Sequence, residues 1–228
     1  MGQKQLPEWS HLLAVVAHPD DESFGLGALI DAFARRGAAV DVLCLTQGEA
    51  STVGAADNLA EIRALELRNA ARALGVANTV LGRHPDGRLG DVDPAVLAGE
   101  VRAAAESSRA AGMLVFDTTG ISGHPDHMAA TAAAERAADA LGLPVLAWTL
   151  EEAVAAQLRD ETGAPFVGRP DRHVDLTIKV DRTTQHAAIA CHASQAEPGS
   201  VLWRRLELQG DREVLRWLRP PVSPEGDR

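Results

Sequence analysis

Two short motifs concentrate histidine and aspartate in this chain. The first, HPDDE, spans residues 18–22, and the second, HPDH, spans residues 124–127. Imidazole nitrogen and carboxylate oxygen are suitable ligands for a borderline divalent ion such as zinc. A cation would also relieve the repulsion among the crowded acids of the first motif. The residue types therefore indicate a divalent-metal site, provided that the fold brings the two motifs together.

Either motif taken alone is also typical of a helix start, because proline suits the first helical position and aspartate the first turn. Taken together, at the ends of two buried strands, the motifs favour a metal site. Two histidines and one carboxylate leave an open coordination position, as a catalytic zinc site requires. Such an ion lowers the pKa of bound water towards about 7 and polarises a carbonyl group, and a free carboxylate beside it could take the proton of that water.

Short apolar runs alternate with helical stretches along the chain. This alternation predicts an α/β fold, a Rossmann-like three-layer sandwich with a mostly parallel sheet and helices on both faces. The predicted strands are 11–18, 38–46, 77–82, 112–117, 143–148 and 172–180, and the predicted helices are 22–36, 59–74, 95–110, 125–141 and 181–193. No repeat or long linker divides the sequence, so 1–228 is predicted to be one domain with a frayed tail at about 219–228.

Four polar segments follow the first four predicted strands. They are HPDDE, TQGEAST, RHPDGR and DTTGISGHPDH. Because ligands bind beyond the carboxyl ends of the strands in such sheets, these segments are expected to share one edge and to form the active site there.

The bulk composition narrows the class of partner. The net charge of −10 argues against a nucleic-acid or anionic-membrane surface, which needs a basic field, and leaves a small-molecule substrate as the expected partner. No apolar run approaches the ~20 residues of a membrane span, and the first residues lack a signal-peptide core. Cys44 and Cys191 form no CxxC pair, and Cys44 lies in an apolar run. A reducing, cytoplasmic environment is expected.

The motifs AHPDDE and GHPDH resemble those of the LmbE-like, or PIG-L, family of zinc-dependent N-acetylglucosamine deacetylases, which includes deacetylases of mycothiol and bacillithiol biosynthesis. Further blocks resemble the family in the same order and extend the resemblance over most of the chain: LTQGE (45–49), EIRALELRNAARALGV (61–76), PDGRL (85–89) and HASQ (192–195). The resemblance implies a hydrolase that removes an N-acetyl group from an N-acetylglucosamine-type amino sugar or glycoconjugate.

The resemblance also implies roles for the first motif. His18, Asp21 and His127 would bind the metal, and Asp20 would be the general base that deprotonates the metal-bound water and later protonates the leaving amine. Asp20 and Asp21 are adjacent, so their side chains are expected to point in different directions. Which of the two is the ligand, and whether His127 is the ligand of the second motif, comes from the resemblance rather than from spacing.

In the second motif, the resemblance implies that His124 stabilises the oxyanion and that Asp126 holds it. Some family members place a tyrosine just before this motif to assist the oxyanion. Here that position is Ser122, and the chain contains no tyrosine. Either His124 and the metal suffice, or another group assists, or the activity is weak.

Four further residues match family positions on the substrate side of the site. Glu49, Arg63 and Asp86 would contact the sugar, and His192, in the HASQ block, would lie in the outer layer of the substrate site. From the sequence alone, Arg63 equally fits an exposed helical residue and Asp86 an ordinary turn former.

Alternative functions share the same residues. An amidase or a long-chain N-deacylase acting on a thiol or antibiotic-glycoside conjugate keeps the chemistry and changes the substrate. A non-haem Fe(II) oxygenase would use the same two-histidine-one-carboxylate ligand set. A catalytically weak binding protein would leave the acid and base groups without a role. The ligand set suits Zn²⁺ and Fe²⁺ alike. The resemblance is compatible with a homo-oligomer, because some family members are oligomeric, but the sequence does not reveal the oligomeric state.

Overall fold

A seven-stranded sheet runs through the centre of the protein in the computed structural model, which describes residues 5–221. The strands are β1 His11–Val16, β2 Ala39–Thr46, β3 Asn78–His84, β4 Gly112–Phe116, β5 Val145–Thr149, β6 Leu176–Lys179 and β7 Arg212–Arg219. Their order is β3-β2-β1-β4-β5-β7-β6, and the first five are parallel while β7 runs antiparallel to both of its neighbours. The predicted α/β fold with a mostly parallel sheet is confirmed.

Helices cover both faces of this sheet. They are α1 Asp21–Phe24, α2 Gly27–Ala34, α3 Leu59–Ala73, α4 Pro94–Ser108, α5 Gly120–Gly123, α6 Pro125–Leu141, α7 Glu152–Thr162, α8 Thr183–Ile189 and α9 Val201–Gln209. One apolar cluster joins the sheet to α4 and α6, and another joins its opposite face to α2, α3, α7 and α8. The three layers follow from this division.

The central strand shows why both faces are covered. Leu12, Ala14 and Val16 of β1 pack into one cluster, and the alternate residues Leu13 and Val15 pack into the other. Successive side chains of a strand point to opposite faces, so a continuous apolar run requires helices on both sides.

Several predicted boundaries were wrong. The helix predicted at 22–36 is broken between α1 and α2, where Gly25 lies so close to β4 that a Cβ there would be 2.3 Å from the Phe116 ring. The strand predicted at 172–180 shortens to β6, and α7 and α9 were not predicted. Arg219 of the expected frayed tail ends β7, and residues 222–228 of that tail lie outside the described residues. Among the described helices, none combines the length and apolarity needed to cross a membrane.

Candidate active site

The two motifs meet where the sheet reverses its strand order. β1 lies between β2 and β4, so the chain builds outwards from β1 in both directions. In such sheets ligands bind beyond the carboxyl ends of the strands at this reversal. Residues 18–22 follow β1, and residues 124–127 follow β4 through the short helix α5. The topology therefore brings together side chains that lie 108 residues apart in the sequence.

Asp21 lies at the centre of this arrangement. Its Oδ2 atom accepts hydrogen bonds from the backbone N–H groups of His18, at 2.9 Å, and Ala17, at 3.2 Å. Its Oδ1 atom is 3.1 Å from Nε2 of His127. Burial opposes ionisation, but the charge of His127 and the hydrogen bonds from His127 and His18 hold the pKa of Asp21 well below its usual range.

The two predicted histidine ligands are each anchored through one ring nitrogen. His127 Nδ1 donates to the carbonyl oxygen of Gly120 at 3.1 Å, and His18 Nε2 donates to Asp126 Oδ2 at 3.2 Å. A histidine that binds a metal ion is neutral and carries one N–H, so in that form these bonds leave the lone pairs on His127 Nε2 and His18 Nδ1, the atoms nearest to Asp21. Anchoring of this kind is usual for histidines that bind metal ions in proteins.

These donors fit a divalent cation. The ligand atoms of His18, Asp21 and His127 lie within 4.8 Å of one another, and those of His18, His124 and Asp126 form a second group that meets the same distance. In the second group both oxygens of the Asp126 carboxylate accept backbone hydrogen bonds, whereas both backbone hydrogen bonds to Asp21 fall on Oδ2 and leave Oδ1 free for an ion. The first group, the one predicted from the sequence, is therefore the better metal site.

Asp126 has a different partner from the one expected. Its fully buried carboxylate accepts hydrogen bonds from the backbone N–H groups of Gly87, at 2.7 Å, and Leu89, at 3.0 Å, and its third partner is the ring of His18. The expectation that this carboxylate holds the His124 ring is corrected, because the loop after β3 and His18 occupy its oxygens. The hydrogen bond between the two residues runs instead from the backbone N–H of Asp126 to Nδ1 of His124.

His18 is surrounded by acids. Its Nε2 atom is also 3.1 Å from Asp86 Oδ1. Burial disfavours the protonated ring, but the hydrogen bonds to Asp126, Asp21 and Asp86 outweigh it and raise the pKa of His18 to about 12. The neighbouring acids therefore stabilise positive charge at this position.

Asp20 belongs to neither ligand group and is held in a strained backbone conformation. Its φ of 122° and ψ of −25° lie in a region that costs a residue other than glycine about 1–3 kcal/mol. Arg63 Nη2 lies 3.2 Å from Asp20 Oδ1 and also donates to the carbonyl oxygen of Pro19. Burial, partly offset by the charge of Arg63, raises the pKa of Asp20 to about 6. Arg63 is buried rather than an exposed helical residue.

His124 begins α6 and faces the other two histidines. Its ring stacks on that of His127 at 4.6 Å between centroids and lies 4.8 Å from that of His18. Because Nδ1 accepts the backbone N–H of Asp126 at 3.3 Å, the ring proton of neutral His124 belongs on Nε2. Burial and the nearby His127 and His18 lower the pKa of His124, which favours this neutral form.

A strained turn precedes His124. Ile121 has φ 66° and ψ −50°, which is unusual for a β-branched residue, and its carbonyl oxygen accepts the N–H of Val167 at 2.7 Å. Ser122, which stands where some relatives have tyrosine, is half-buried in this turn. The turn also places the Gly120 carbonyl oxygen against His127.

The loops after β2 and β3 close the other side of the site. Glu49 Oε1 accepts the backbone N–H of Asp86 at 3.0 Å, and Asp86 Oδ2 accepts the backbone N–H of Ala50 at 2.8 Å. Asp86 lines a cavity of about 390 Å³ above the histidines, whereas Glu49 is exposed outside that lining. Apart from the residues already described, the wall consists of Ala50, Ser51, Thr52, Gly87, Gln195 and Leu202.

A family model described as PIG-L, GlcNAc-PI de-N-acetylase, matches residues 13–138, more than half of the chain. The chain belongs to the PIG-L family. It is 31% identical to the 1D-myo-inositol 2-acetamido-2-deoxy-alpha-D-glucopyranoside deacetylase of Mycobacterium bovis (strain BCG / Pasteur 1173P2), over 85% of this chain and 83% of that protein.

Two solved structures share the fold of this PIG-L protein. The A40926 pseudoaglycone deacetylase Dbv21 superposes with a TM-score of 0.72 at 21% identity, covering 94% of this chain and 99% of that one. The zinc inhibited form of teicoplanin deacetylase Orf2 superposes with a TM-score of 0.69 at 24% identity, covering 93% of this chain and 100% of that one.

In this PIG-L protein, His192 lies beneath the site rather than in it. The side chain is fully buried, and its Nε2 atom is 2.7 Å from Oε1 of Glu22. Burial disfavours the protonated ring, but Glu22 raises the pKa of His192 above its usual value. The lining of the cavity does not include His192, so its side chain contacts Glu22 rather than the space in which a substrate would lie.

Gln195, Ser51 and Leu202 are among the residues of the cavity wall that were missed from the sequence. Gln195 Oε1 accepts a hydrogen bond from Ser51 Oγ at 2.8 Å, and Gln195 Nε2 donates to the carbonyl oxygen of Val53 at 3.0 Å. These two hydrogen bonds hold the loop after β2 in place at the cavity wall. The HASQ block could have pointed to Gln195 and the polar loop to Ser51, whereas Leu202 belongs to the unpredicted helix α9.

A second group of buried polar side chains contacts the end of α1 through Arg205, and we call it the Glu213 cluster. Its members are Glu213, Arg182, Arg205, Gln209 and Trp148. Gln185 is buried beside this cluster. It accepts from Arg182 Nη1 at 2.7 Å and donates to the carbonyl oxygens of Ser23 and Phe24. A neutral amide at this position therefore satisfies the carbonyl end of α1.

Proposed function

We propose that this protein is a metal-dependent hydrolase that removes the N-acetyl group from an N-acetylglucosamine-type glycoside. The observation that carries the proposal is the convergence of two anchored histidines and Asp21 at the floor of an open cavity, beside the carboxylate of Asp20, which belongs to neither ligand group. The names of the relatives, which are deacetylases, support the same reaction.

His18, Asp21 and His127 would hold the metal, with zinc as the first choice and ferrous iron as the alternative. When bound, the ion supplies an activated water and polarises the amide carbonyl. The anchors on Gly120 and Asp126 keep the two imidazoles oriented towards Asp21. The protein therefore places the donors before the ion arrives.

Asp20 would move the protons of the reaction. Its carboxylate lines the cavity, and Arg63 fixes its orientation through the contact at 3.2 Å. It takes the proton of the attacking water and delivers it to the nitrogen as the C–N bond breaks, so that acetate and the free amine leave. Its buried setting raises its pKa towards neutrality, which suits a group that both accepts and returns a proton.

His124 would stabilise the negative charge that develops on the carbonyl oxygen. Its N–H belongs on Nε2, because Nδ1 is occupied by the Asp126 backbone. A preoriented neutral donor of this kind suits an oxyanion and does not require the tyrosine of other members.

The sugar would bind against the wall formed by the loops after β2 and β3. Asp86 and Arg63 line the cavity, and Ser51 and Gln195 offer further polar groups to sugar hydroxyls. Glu49 acts at a distance, through its hydrogen bond to the Asp86 backbone. A cytoplasmic location stays a prediction from the sequence.

The test is product analysis on zinc-loaded protein. We expect acetate and free amine in equal amounts from N-acetylglucosamine glycosides, including one with an inositol aglycone. Replacing the proton carrier in Asp20→Asn should lower kcat about 10²–10⁴-fold. The matched control is His173→Asn, an exposed residue that should leave kcat unchanged.

Two results would redirect the proposal. Release of a longer fatty acid from N-acylated glycosides, without release of acetate, would establish a long-chain N-deacylase. If the metal-loaded protein cleaves no amide of either kind, the assignment as a hydrolase is wrong.

A further inference from the structure

The backbone of Asp20 needs external support. A residue other than glycine keeps a φ of 122° only where its surroundings fix it. The backbone N–H of Asp20 donates to Glu22 Oε2 at 2.9 Å, and its carbonyl oxygen accepts the N–H of Phe24 at 2.8 Å. Glu22 is therefore the side chain that captures the N–H of this strained residue.

Glu22 is in turn fixed by His192. The Glu22 side chain is fully buried, and its other oxygen, Oε1, lies 2.7 Å from His192 Nε2 and 2.6 Å from Ser23 Oγ. A buried carboxylate needs compensating donors, and His192 supplies one across 170 residues of sequence. Neither Glu22 nor His192 lines the cavity.

The rest of the HASQ block secures His192. Ser194 donates through its backbone N–H and its hydroxyl to the two carboxylate oxygens of Glu66, at 2.8 and 2.6 Å. Glu66 lies on α3, one turn beyond Arg63, which holds the Asp20 carboxylate from the other side. The two supports of Asp20 are thus joined through α3.

From this geometry we infer that Glu22 and His192 are positioning residues, which hold the Asp20 backbone so that its carboxylate meets the reacting groups. The inference rests on the proposed function, in which Asp20 carries the proton. It gives the HASQ block a role other than sugar binding.

The experiment compares His192→Ala with His192→Gln in the zinc-loaded protein, because glutamine keeps an N–H donor of similar reach. We expect His192→Ala to lower kcat about 10- to 100-fold, with KM within about threefold and one zinc retained. His192→Gln should recover kcat to within about fivefold of the wild type. His173→Gln is the exposed control.

Two additional measurements separate positioning from stability. Glu22→Gln should also lower kcat, since an amide can accept at only one of the two positions where the carboxylate accepts. Combining it with His192→Ala should cost little more than either change alone, because both act through one contact. Hydrogen exchange at the Asp20 amide should become about tenfold faster in His192→Ala, as its acceptor loosens.

The outcomes are distinct. A rise in KM at constant kcat would overturn the inference in favour of direct substrate contact. Equal losses in His192→Ala and His192→Gln, in step with lost zinc or lost folded protein, would overturn it in favour of a merely structural role. If the wild type cleaves no amide, the proposed function fails, and exchange at the Asp20 amide still decides whether His192 holds that backbone.

Discussion

The site and the Glu213 cluster are two buried groups of charged side chains with opposite balances of acidic and basic residues. In the Glu213 cluster, each carboxylate oxygen faces donors: Arg182 at 2.6 Å on one, and Trp148 and Gln209, both at 2.7 Å, on the other. The cluster contains two guanidinium groups for one acid, and burial lowers the pKa of Arg205 to about 10 although Glu213 raises it. Donors of the protein itself thus satisfy both oxygens of the Glu213 carboxylate.

The site has the reverse balance. Four aspartates, Asp20, Asp21, Asp86 and Asp126, converge around one buried guanidinium, that of Arg63, and three imidazoles. This group opens into the cavity, whereas the Glu213 side chain is fully buried. Buried charge by itself therefore does not identify a functional site. An excess of acids over fixed cations, with anchored imidazoles and access to solvent, does indicate one.

Among substitutions that leave Asp20 and the three metal ligands intact, the largest effect on kcat is expected from His124→Ala. The change removes the N–H that would stabilise the oxyanion, so kcat should fall about 10²–10³-fold. Steady-state kinetics on the zinc-loaded variant checks this value. The free energy of unfolding should change little in comparison, and a KM effect at unchanged kcat would contradict the role in the transition state.

In the Glu213 cluster, by contrast, Glu213→Gln should lower the stability of the protein and leave its activity nearly unchanged. It leaves Arg182 and Arg205 without a counter-charge in the interior, so the free energy of unfolding should fall by about 3 kcal/mol. Urea unfolding measures the loss. The folded fraction should retain one zinc and a kcat within about threefold of the wild type, because the cluster reaches the site only through α1.

Acid should weaken a further structural ion pair. Asp117 is fully buried, lies 2.7 Å from Arg169 and 3.3 Å from Arg216, and has Glu135 of α6 as a neighbouring acid. Burial opposes ionisation, but the hydrogen bonds from Arg169 and Thr119 lower the pKa of Asp117 below its usual value.

A carboxyl whose pKa is lower in the folded state stabilises the protein above its unfolded-state pKa, about 4, and loses that contribution as the pH falls through the folded value. The free energy of unfolding of the wild type should therefore fall below about pH 4 more steeply than that of Asp117→Asn. Urea unfolding at a series of pH values compares the slopes. Parallel slopes would contradict the role given to this ion pair.

The smallest effect is expected from Ser51→Ala. It removes the hydrogen bond to Gln195 and loosens the loop on the cavity wall, so KM should rise about two- to fivefold with kcat nearly unchanged. Steady-state kinetics with the glycoside used above is sufficient. A tenfold fall in kcat would show that the loop bears on the chemistry itself.

The sequence predicted the convergence of the two motifs because it depends only on parallel strands ending at one edge of a sheet. It did not predict that Arg63 is buried or that the Asp126 carboxylate accepts a hydrogen bond from His18. Those outcomes depend on which loop oxygens and N–H groups lie nearby, such as the carbonyl of Gly48 and the N–H of Leu89. Local patterns carry no such information.

The Glu213 cluster was not predicted from the sequence for a similar reason. Glu213 lies on β7 and reaches Trp148 on β5 only because β7 inserts antiparallel between β5 and β6. Helical periodicity in α9 was also missed, and with it Leu202 of the cavity wall. The sequence pattern thus does not predict the contacts that segments near the C-terminus, such as β7 and α9, make with earlier elements.

The central claim, that an excess of acids around His18 is a metal centre for amide hydrolysis, is tested most directly by zinc titration of metal-depleted protein. Binding and acetate release would be followed together, beside His127→Ala and the exposed control His173→Ala. The account predicts that activity rises with the first equivalent of zinc, or of ferrous iron, and that His127→Ala loses both tight binding and activity while His173→Ala loses neither. Full activity in the metal-depleted protein, or unchanged stoichiometric binding in His127→Ala, would contradict it.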